Sequence, residues 1–254
     1  MTDNIERITD PSFNKSRGGV TVVSLGFFCG VAIELERIGL RSFSLPFDWL
    51  ITGSFASVLE LINNHFNGFL DSDLMFQEVS VNKNYYYNQS KDIHFYHDFS
   101  AYETFDSQLD VVKEKYARRI HRFYETIQTP TVFLRYIANL EEVEFISNHA
   151  KSIDKFLKGF CPQNRIIYIA DCLIEPIDDV EMYCVEKDQG DSVARHFLKK
   201  CPLLEKELLS YPCIDREVNL KRYKQTRVAK KLRKLYRTLK RYICKNTYTH
   251  SKVI

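Results

Sequence analysis

The sequence lacks any run of about 18 apolar residues, so no membrane-spanning helix is expected. Its opening, MTDNIERITDPSFNKSRGG, offers no apolar core for insertion or cleavage, and the expectation is a cytoplasmic chain. No C-x-x-C pair occurs, and no histidine pair stands at ligand spacing beside the cysteines. A metal site is therefore not expected. The seven cysteines (29, 161, 172, 184, 201, 213 and 244) are odd in number and sit in a chain that is not small. They read as thiols of a reducing compartment rather than as a disulfide framework. No phosphate loop of G-x-G-x-x-G or P-loop form is present, and no cofactor is expected.

What is present is a chain of 254 residues, 44% hydrophobic, enough to bury one substantial core. Charge divides it. Residues 216–254 hold 14 Lys/Arg against Glu217 alone, about +13, whereas residues 1–215 hold 22 Lys/Arg against 32 acids, about −10. An acidic body joined to a basic tail is not a DNA-binding domain, and no DNA partner is expected. The division suggests a disordered segment at 1–18, an α/β body at 19–215 and a helical tail at 216–254.

Val20–Leu25 is a short β-branched run ending at Gly26, the pattern of a buried strand. From Cys29 to Leu40, Val31, Ala32, Leu35 and Ile38 recur at helical spacing, with Gly39 suited to the helix end. Ser42–Leu45 reads as a second strand ending at Pro46-Phe-Asp48-Trp49, and Phe55–Phe66 as a helix. Aromatic strands at Leu74–Val81, Asn84–Tyr87 and Ile93–Phe99 suggest an antiparallel insertion. A long helix over Gln108–Ile127 is broken by Thr129-Pro130. Then follow a strand at Thr131–Tyr136, a helix at Glu141–Leu157, and strands at Arg165–Ala170 and Val180–Val185. Such alternation predicts an α/β fold of three layers: a largely parallel open sheet, an aromatic β insertion and a C-terminal basic amphipathic helix.

In Ser24-Leu-Gly-Phe-Phe-Cys29 the thiol falls at the carboxyl end of the first strand and the start of the first helix. Open α/β sheets bind ligands along that edge. Helix N–H groups there stabilise an anion, including a thiolate. Ser24 and Gly26 line the same turn, and Gly26 leaves room for a close substrate. A thiol nucleophile needs a base, and His97, at the end of an aromatic strand, is the candidate. His94 is three residues earlier and faces the other way along a strand. Asp98, Asp48 and Asp171 are all candidates to orient His97, with helix capping an equal reading for Asp48. Trp49, the sole tryptophan, and Arg135, at the end of a buried strand, are candidate substrate contacts, Arg135 for a carboxylate or phosphate.

These motifs (S-L-G-F-F-C, P-F-D-W-L, N-x-F-x-x-F-L-D at 64–71, H-D-F at 97–99 and K-Y-A-R-R-I-x-R-F) stand in order across residues 20–170. The sequence thereby resembles a bacterial family of unknown function labelled as papain-like cysteine peptidases, whose members often lie in capsule or lipopolysaccharide loci. The resemblance implies Cys29 as nucleophile and His97 as base, with Asp98 or Asp48 as the orienting carboxylate. Papain's own C-G-S-C-W is missing, and no glutamine precedes Cys29 to build the usual oxyanion hole. A strand running almost directly into Cys29 is closer to hydrolases with the nucleophile at a strand end, whose turn amides hold the oxyanion.

In the tail, Leu232, Leu235, Tyr236, Leu239, Tyr242 and Ile243 repeat at helical spacing among lysines and arginines. Such a helix suits an anionic membrane surface, with RNA phosphates or the acidic body itself as the competing partners. The leading expectation is a Cys-dependent hydrolase or acyl transferase on the inner membrane face, acting in surface polysaccharide biosynthesis on a glycan precursor or an associated peptide or acyl group. The alternatives are a glycosyl- or phosphoglycosyl-transferase-like protein using Asp48, Arg135 and Asp171, and a non-catalytic membrane-associated binding protein.

Overall fold

The computed structural model describes residues 19–79, 84–100, 102–137, 139–171, 174–213 and 215–249; the expectation for 1–18 lies outside them. Four parallel strands form the central sheet: β1 (Thr21–Ser24), β6 (Thr131–Ile137), β7 (Arg165–Asp171) and β8 (Met182–Val185), adjacent in that order. Because all four run the same way, their carboxyl ends share one edge. β6 is buried along its whole length, which is why T-V-F-L-R-Y-I reads as a nearly unbroken apolar run. Its side chains alternate between two cores. Phe133 and Ile137 enter one, and Val132, Leu134 and Tyr136 enter the other.

The first core is covered by α2 (Phe55–Asn63), α3 (Phe105–Ile127) and α4 (Leu140–Lys158). The second is covered by α1 (Gly30–Arg37), α5 (Phe197–Lys200) and α6 (Pro202–Ser210). Helices on both faces of a parallel sheet make the three-layer α/β arrangement expected. α2, α3 and α4 each start on a polar cap: Ser54, Thr104 and Asn139 accept from the amides of Ser57, Ser107 and Glu142.

The aromatic insertion is a second, antiparallel sheet, ordered β2 (Ile51–Thr52), β5 (Ile93–Phe95), β4 (Asn84–Asn88) and β3 (Met75–Val79). Two expectations change here. Ser42–Leu45 forms no strand: Pro46 follows it, and Asp48 Oδ2 accepts the Leu45 amide at 2.9 Å, closing a turn instead. The strand in this region is the two-residue β2, which pairs with β5 rather than with the parallel sheet. The predicted strand Ile93–Phe99 also stops at Phe95, and His97 lies in the turn beyond it.

The tail helix α7 (Arg216–Thr249) begins sixteen residues before Leu232, where its apolar repeat starts, and is held to the body at its start. Asn219 donates to the Gly39 carbonyl and to Ser42 Oγ, and Arg216 and Arg222 donate to the carbonyls of Ile38 and Ser42. Gly39 takes a positive φ of 81° and ends α1; a β-carbon there would stand 2.8 Å from the Arg216 carbonyl oxygen. Among the described residues, no helix is long and apolar enough to cross a membrane.

Candidate active site

The turn from β1 into α1 is built from two consecutive residues with positive φ, Gly26 at 83° and Phe27 at 69°. A glycine tolerates that region and a phenylalanine does not, so the second residue is strained and must be held. Thr52 holds it. The Phe27 amide donates to Thr52 Oγ1 at 2.9 Å, and the Thr52 amide donates back to the Phe27 carbonyl at 3.1 Å. Gly26 is required for this approach, since a β-carbon there would lie 2.6 Å from Thr52 Oγ1. Ser24 Oγ accepts the Gly26 amide at 3.1 Å, and the residue is 1% exposed. Ser24 and Gly26, expected as substrate contacts, are thus structural parts of the turn. The turn amides of Gly26 and Phe27 are spent inside the protein, so an oxyanion would have to be met by the first turn of α1 instead.

Arg135 is the fastener beneath this turn. It is wholly buried, and its five N–H donors have five acceptor contacts. Nη1 reaches the Leu25 carbonyl at 3.0 Å and Thr52 Oγ1 at 2.6 Å; Nη2 reaches the Thr52 carbonyl at 2.9 Å and the Glu142 carboxylate; Nε reaches Glu142 at 3.0 Å. Burial pulls its pKa below the usual guanidinium value, and the Glu142 charge partly offsets that. The expectation of a substrate-binding arginine is corrected: no donor is left for a ligand.

Past the turn, Cys29 sits at the N-cap of α1, half-buried, with a backbone already near helical (φ −61°, ψ −15°). Phe28 folds over the helix start, where a β-carbon on Gly30 would lie 2.0 Å from its ring. Thiol and helix start open onto a cavity of about 250 Å³. The second wall comes from β2 and β5. Beyond the pair of Ile51 with His94, the chain on either side supplies Trp49, Leu50, Tyr96 and His97, and all four line the cavity. Ser192 and Val193 complete it. That loop is fixed by the Ala194 amide donating to Tyr136 Oη at 2.8 Å, while the Tyr136 ring meets Phe28 edge-on.

The structure therefore brings Cys29, His97 and Trp49 onto one cavity and moves the carboxylates elsewhere. His97 packs edge-to-face against Trp49, ring centroids 6.0 Å apart. Asp98, the neighbouring candidate, turns into the protein: Tyr116 donates to Oδ2 at 2.8 Å, and Lys115 pairs with Oδ1 at 2.6 Å. Burial, with Asp98 adding to it, holds the Tyr116 phenol well above its usual range. Asp48 is 2% exposed and pairs with Arg41 at 2.8 Å. Burial lifts its carboxyl above the ordinary value, against the pull of Arg41. Arg41 in turn lies over the Trp49 ring at 5.0 Å, which links Asp48 through Arg41 to the indole beside His97. Asp171 pairs with Lys187 at 2.8 Å. With Arg135 saturated, Asp48 paired and Asp171 paired, the three residues on which a nucleotide-sugar transferase would rely do not converge on an open site.

Sequence reasoning missed Tyr96, Thr52, Tyr136 and the Ser192–Val193 loop. Tyr96 was legible beside His97. The others act across the fold and leave no local signal. His94 stays out of the cavity, stacked with Tyr87 at 5.4 Å and bonded to Asp92.

A thiol at a helix start and an imidazole lining the same cavity are the equipment of a cysteine hydrolase. Residues 20–168, more than half of the chain, match the family described as "Putative papain-like cysteine peptidase (DUF1796)", and the chain belongs to that family. A curated relative, "Uncharacterized protein R408" of Acanthamoeba polyphaga mimivirus, is 34% identical over 122 residues, covering 40% of this chain and 54% of that protein. The chain thus spans about half the length of this curated relative. No solved structure matches it. The relative is viral, and the expected bacterial setting with its capsule and lipopolysaccharide loci finds no support in it.

Proposed function

We propose that the cavity is the active site of a cysteine hydrolase, with Cys29 as nucleophile and His97 as general base. The observation that carries this reading is that both side chains line one cavity, the thiol at a helix start and the imidazole fixed against Trp49. Cys29 Sγ would add to a peptide or acyl carbonyl carbon while its proton passes to His97. The oxyanion would meet the first-turn amides of α1, Gly30 among them, where the helix dipole favours negative charge. Collapse of the adduct breaks the bond to the leaving group, which takes the proton from His97. Water, deprotonated by the same imidazole, then hydrolyses the thioester and restores the thiol.

The ten residues at the cavity are mostly apolar or aromatic, which suits a neutral side chain or acyl group next to the scissile carbonyl. A glycan precursor or its attached peptide or acyl group remains the proposed substrate, with the basic tail as its only support on this chain.

Iodoacetamide labelling at neutral pH, mapped by mass spectrometry, tests the nucleophile. Cys29 should label fastest of the cysteines, and His97→Ala should slow that labelling. Hydrolysis of peptide and thioester substrates should vanish in Cys29→Ser and fall about 10²–10⁴-fold in His97→Ala, the usual worth of a general base. A Cys29 that labels no faster than the exposed Cys184 would instead favour a binding protein without thiol chemistry.

A further inference from the structure

We infer that α7 is an anchor for an anionic lipid surface. Beyond Arg222, which still donates to the Ser42 carbonyl, the side chains from Arg227 to Thr238 are all exposed. Val228, Leu232, Leu235 and Tyr236 are 57%, 61%, 58% and 67% exposed. Spaced at i, i+4, i+7 and i+8, they make one stripe of the helix. Lys230, Lys231, Arg233, Lys234 and Arg237 are also exposed and lie off that stripe, most of them on the far side. The sequence repeats the pattern onward with Leu239, Tyr242 and Ile243 among Lys240 and Arg241.

Charge selects the occupant. Docking onto the acidic body would cover these apolar residues, and they are uncovered. A second copy could use the 228, 232, 235 spacing as a coiled-coil seam. It would, however, set two basic helices against each other with Glu217 as the one acid in each tail. RNA would use the cations and leave the apolar stripe in water. An anionic bilayer surface takes both: the stripe sinks to the acyl boundary while the cations meet the headgroups. The helix docks at the carboxyl end of α1, whereas Cys29 stands at its amino end, so the anchor leaves the cavity open. This inference does not rest on the thiol chemistry.

Flotation of the full chain with vesicles tests it. The protein should float with phosphatidylcholine–phosphatidylglycerol vesicles, not with phosphatidylcholine alone, and should be released by high salt. Replacing Lys230, Lys231 and Lys234 with glutamine should weaken binding about a hundredfold, roughly 1 kcal/mol for each charge. Leu232→Glu with Leu235→Glu should abolish flotation while leaving RNA retention on a filter, if any, unchanged. No flotation, equal flotation on neutral vesicles, or a salt-stable dimer in sedimentation that the two leucine changes dissolve would each overturn the inference. Cys29 labelling is measured on the same variants and should not change, so failure of the anchor and failure of the thiol site are told apart.

Discussion

Arg135 donates to both oxygens of Thr52, at 2.6 Å to the hydroxyl and 2.9 Å to the carbonyl. Thr52 passes that order on, because its hydroxyl also receives the amide of strained Phe27. One buried guanidinium thus connects the parallel sheet, the insertion and, through Glu142, helix α4. The thiol's position depends on all three.

Removing this guanidinium should be costly for a specific reason. Arg135→Met would leave Glu142, itself 4% exposed, as a buried carboxylate without its partner. The expected loss is about 3–5 kcal/mol, read by urea denaturation. Arg135→Met with Glu142→Leu removes both charges and should recover a substantial part of that loss. Cys29 labelling should stay slow in the double variant, since Thr52 and the Leu25 carbonyl still lack their donor. A double variant as unstable as the single one would mean that the pair's charge is not what matters.

Asp98 and His97 are neighbours in sequence with separate duties in the fold. Asp98→Asn weakens the acceptor for Tyr116 and the pair with Lys115, and should destabilise the protein by about 1–3 kcal/mol. The pH profile of Cys29 labelling should not move. A profile that shifts with Asp98→Asn would restore Asp98 as the group orienting the imidazole.

Much of this was legible in the sequence, and the limit has a physical cause. Local periodicity carried the strand–turn–helix at Cys29, the long helix α3, the parallel strands and the aromatic insertion, because each depends on residues a few positions apart. Arg135 misled, since a charged residue in an apolar strand reads as a ligand contact. Its role appears only with Thr52, 83 residues away, and Leu25, 110 away. The Asp48 carboxylate likewise looked like a site group until Arg41 and the Leu45 amide claimed it. β2 has two residues and no pattern to read, yet it joins the two sheets. The Ser192–Val193 wall comes from a polar loop that the distant Tyr136 hydroxyl ties down.

Alkaline pH should loosen α3 from α2 through Tyr124. Its hydroxyl donates to the Ile62 carbonyl at 2.6 Å, and burial pushes the phenol up to about 12. A pKa raised in the folded state gives stability that is complete below the unfolded value, near 10, and is lost as pH rises through the folded one. Tyr124→Phe lacks this proton. The stability difference between wild type and Tyr124→Phe should therefore be constant up to about pH 9 and shrink by about pH 11. Denaturation midpoints at the two pH values check it, and the ring's partial exposure keeps the effect small.

Trp49 packs against the His97 imidazole, and its substitution tests how that ring is oriented. Arg41 lies 5.0 Å over the indole and is itself fixed by Asp48, and the indole packs edge-to-face with His97. Trp49→Leu fills part of the volume but removes the aromatic contact, worth about 0.5–1.5 kcal/mol for such a pair. Labelling of Cys29 at neutral pH should fall about 2–10-fold, with a displaced pH profile. Trp49→Phe keeps an aromatic face and should recover most of the rate. Arg41→Gln should displace the profile in the same direction as Trp49→Leu, because Arg41 lies over the indole that packs against His97. If Trp49→Leu lowers substrate binding alone and leaves the labelling profile in place, the indole is a substrate contact and His97 is oriented by another group.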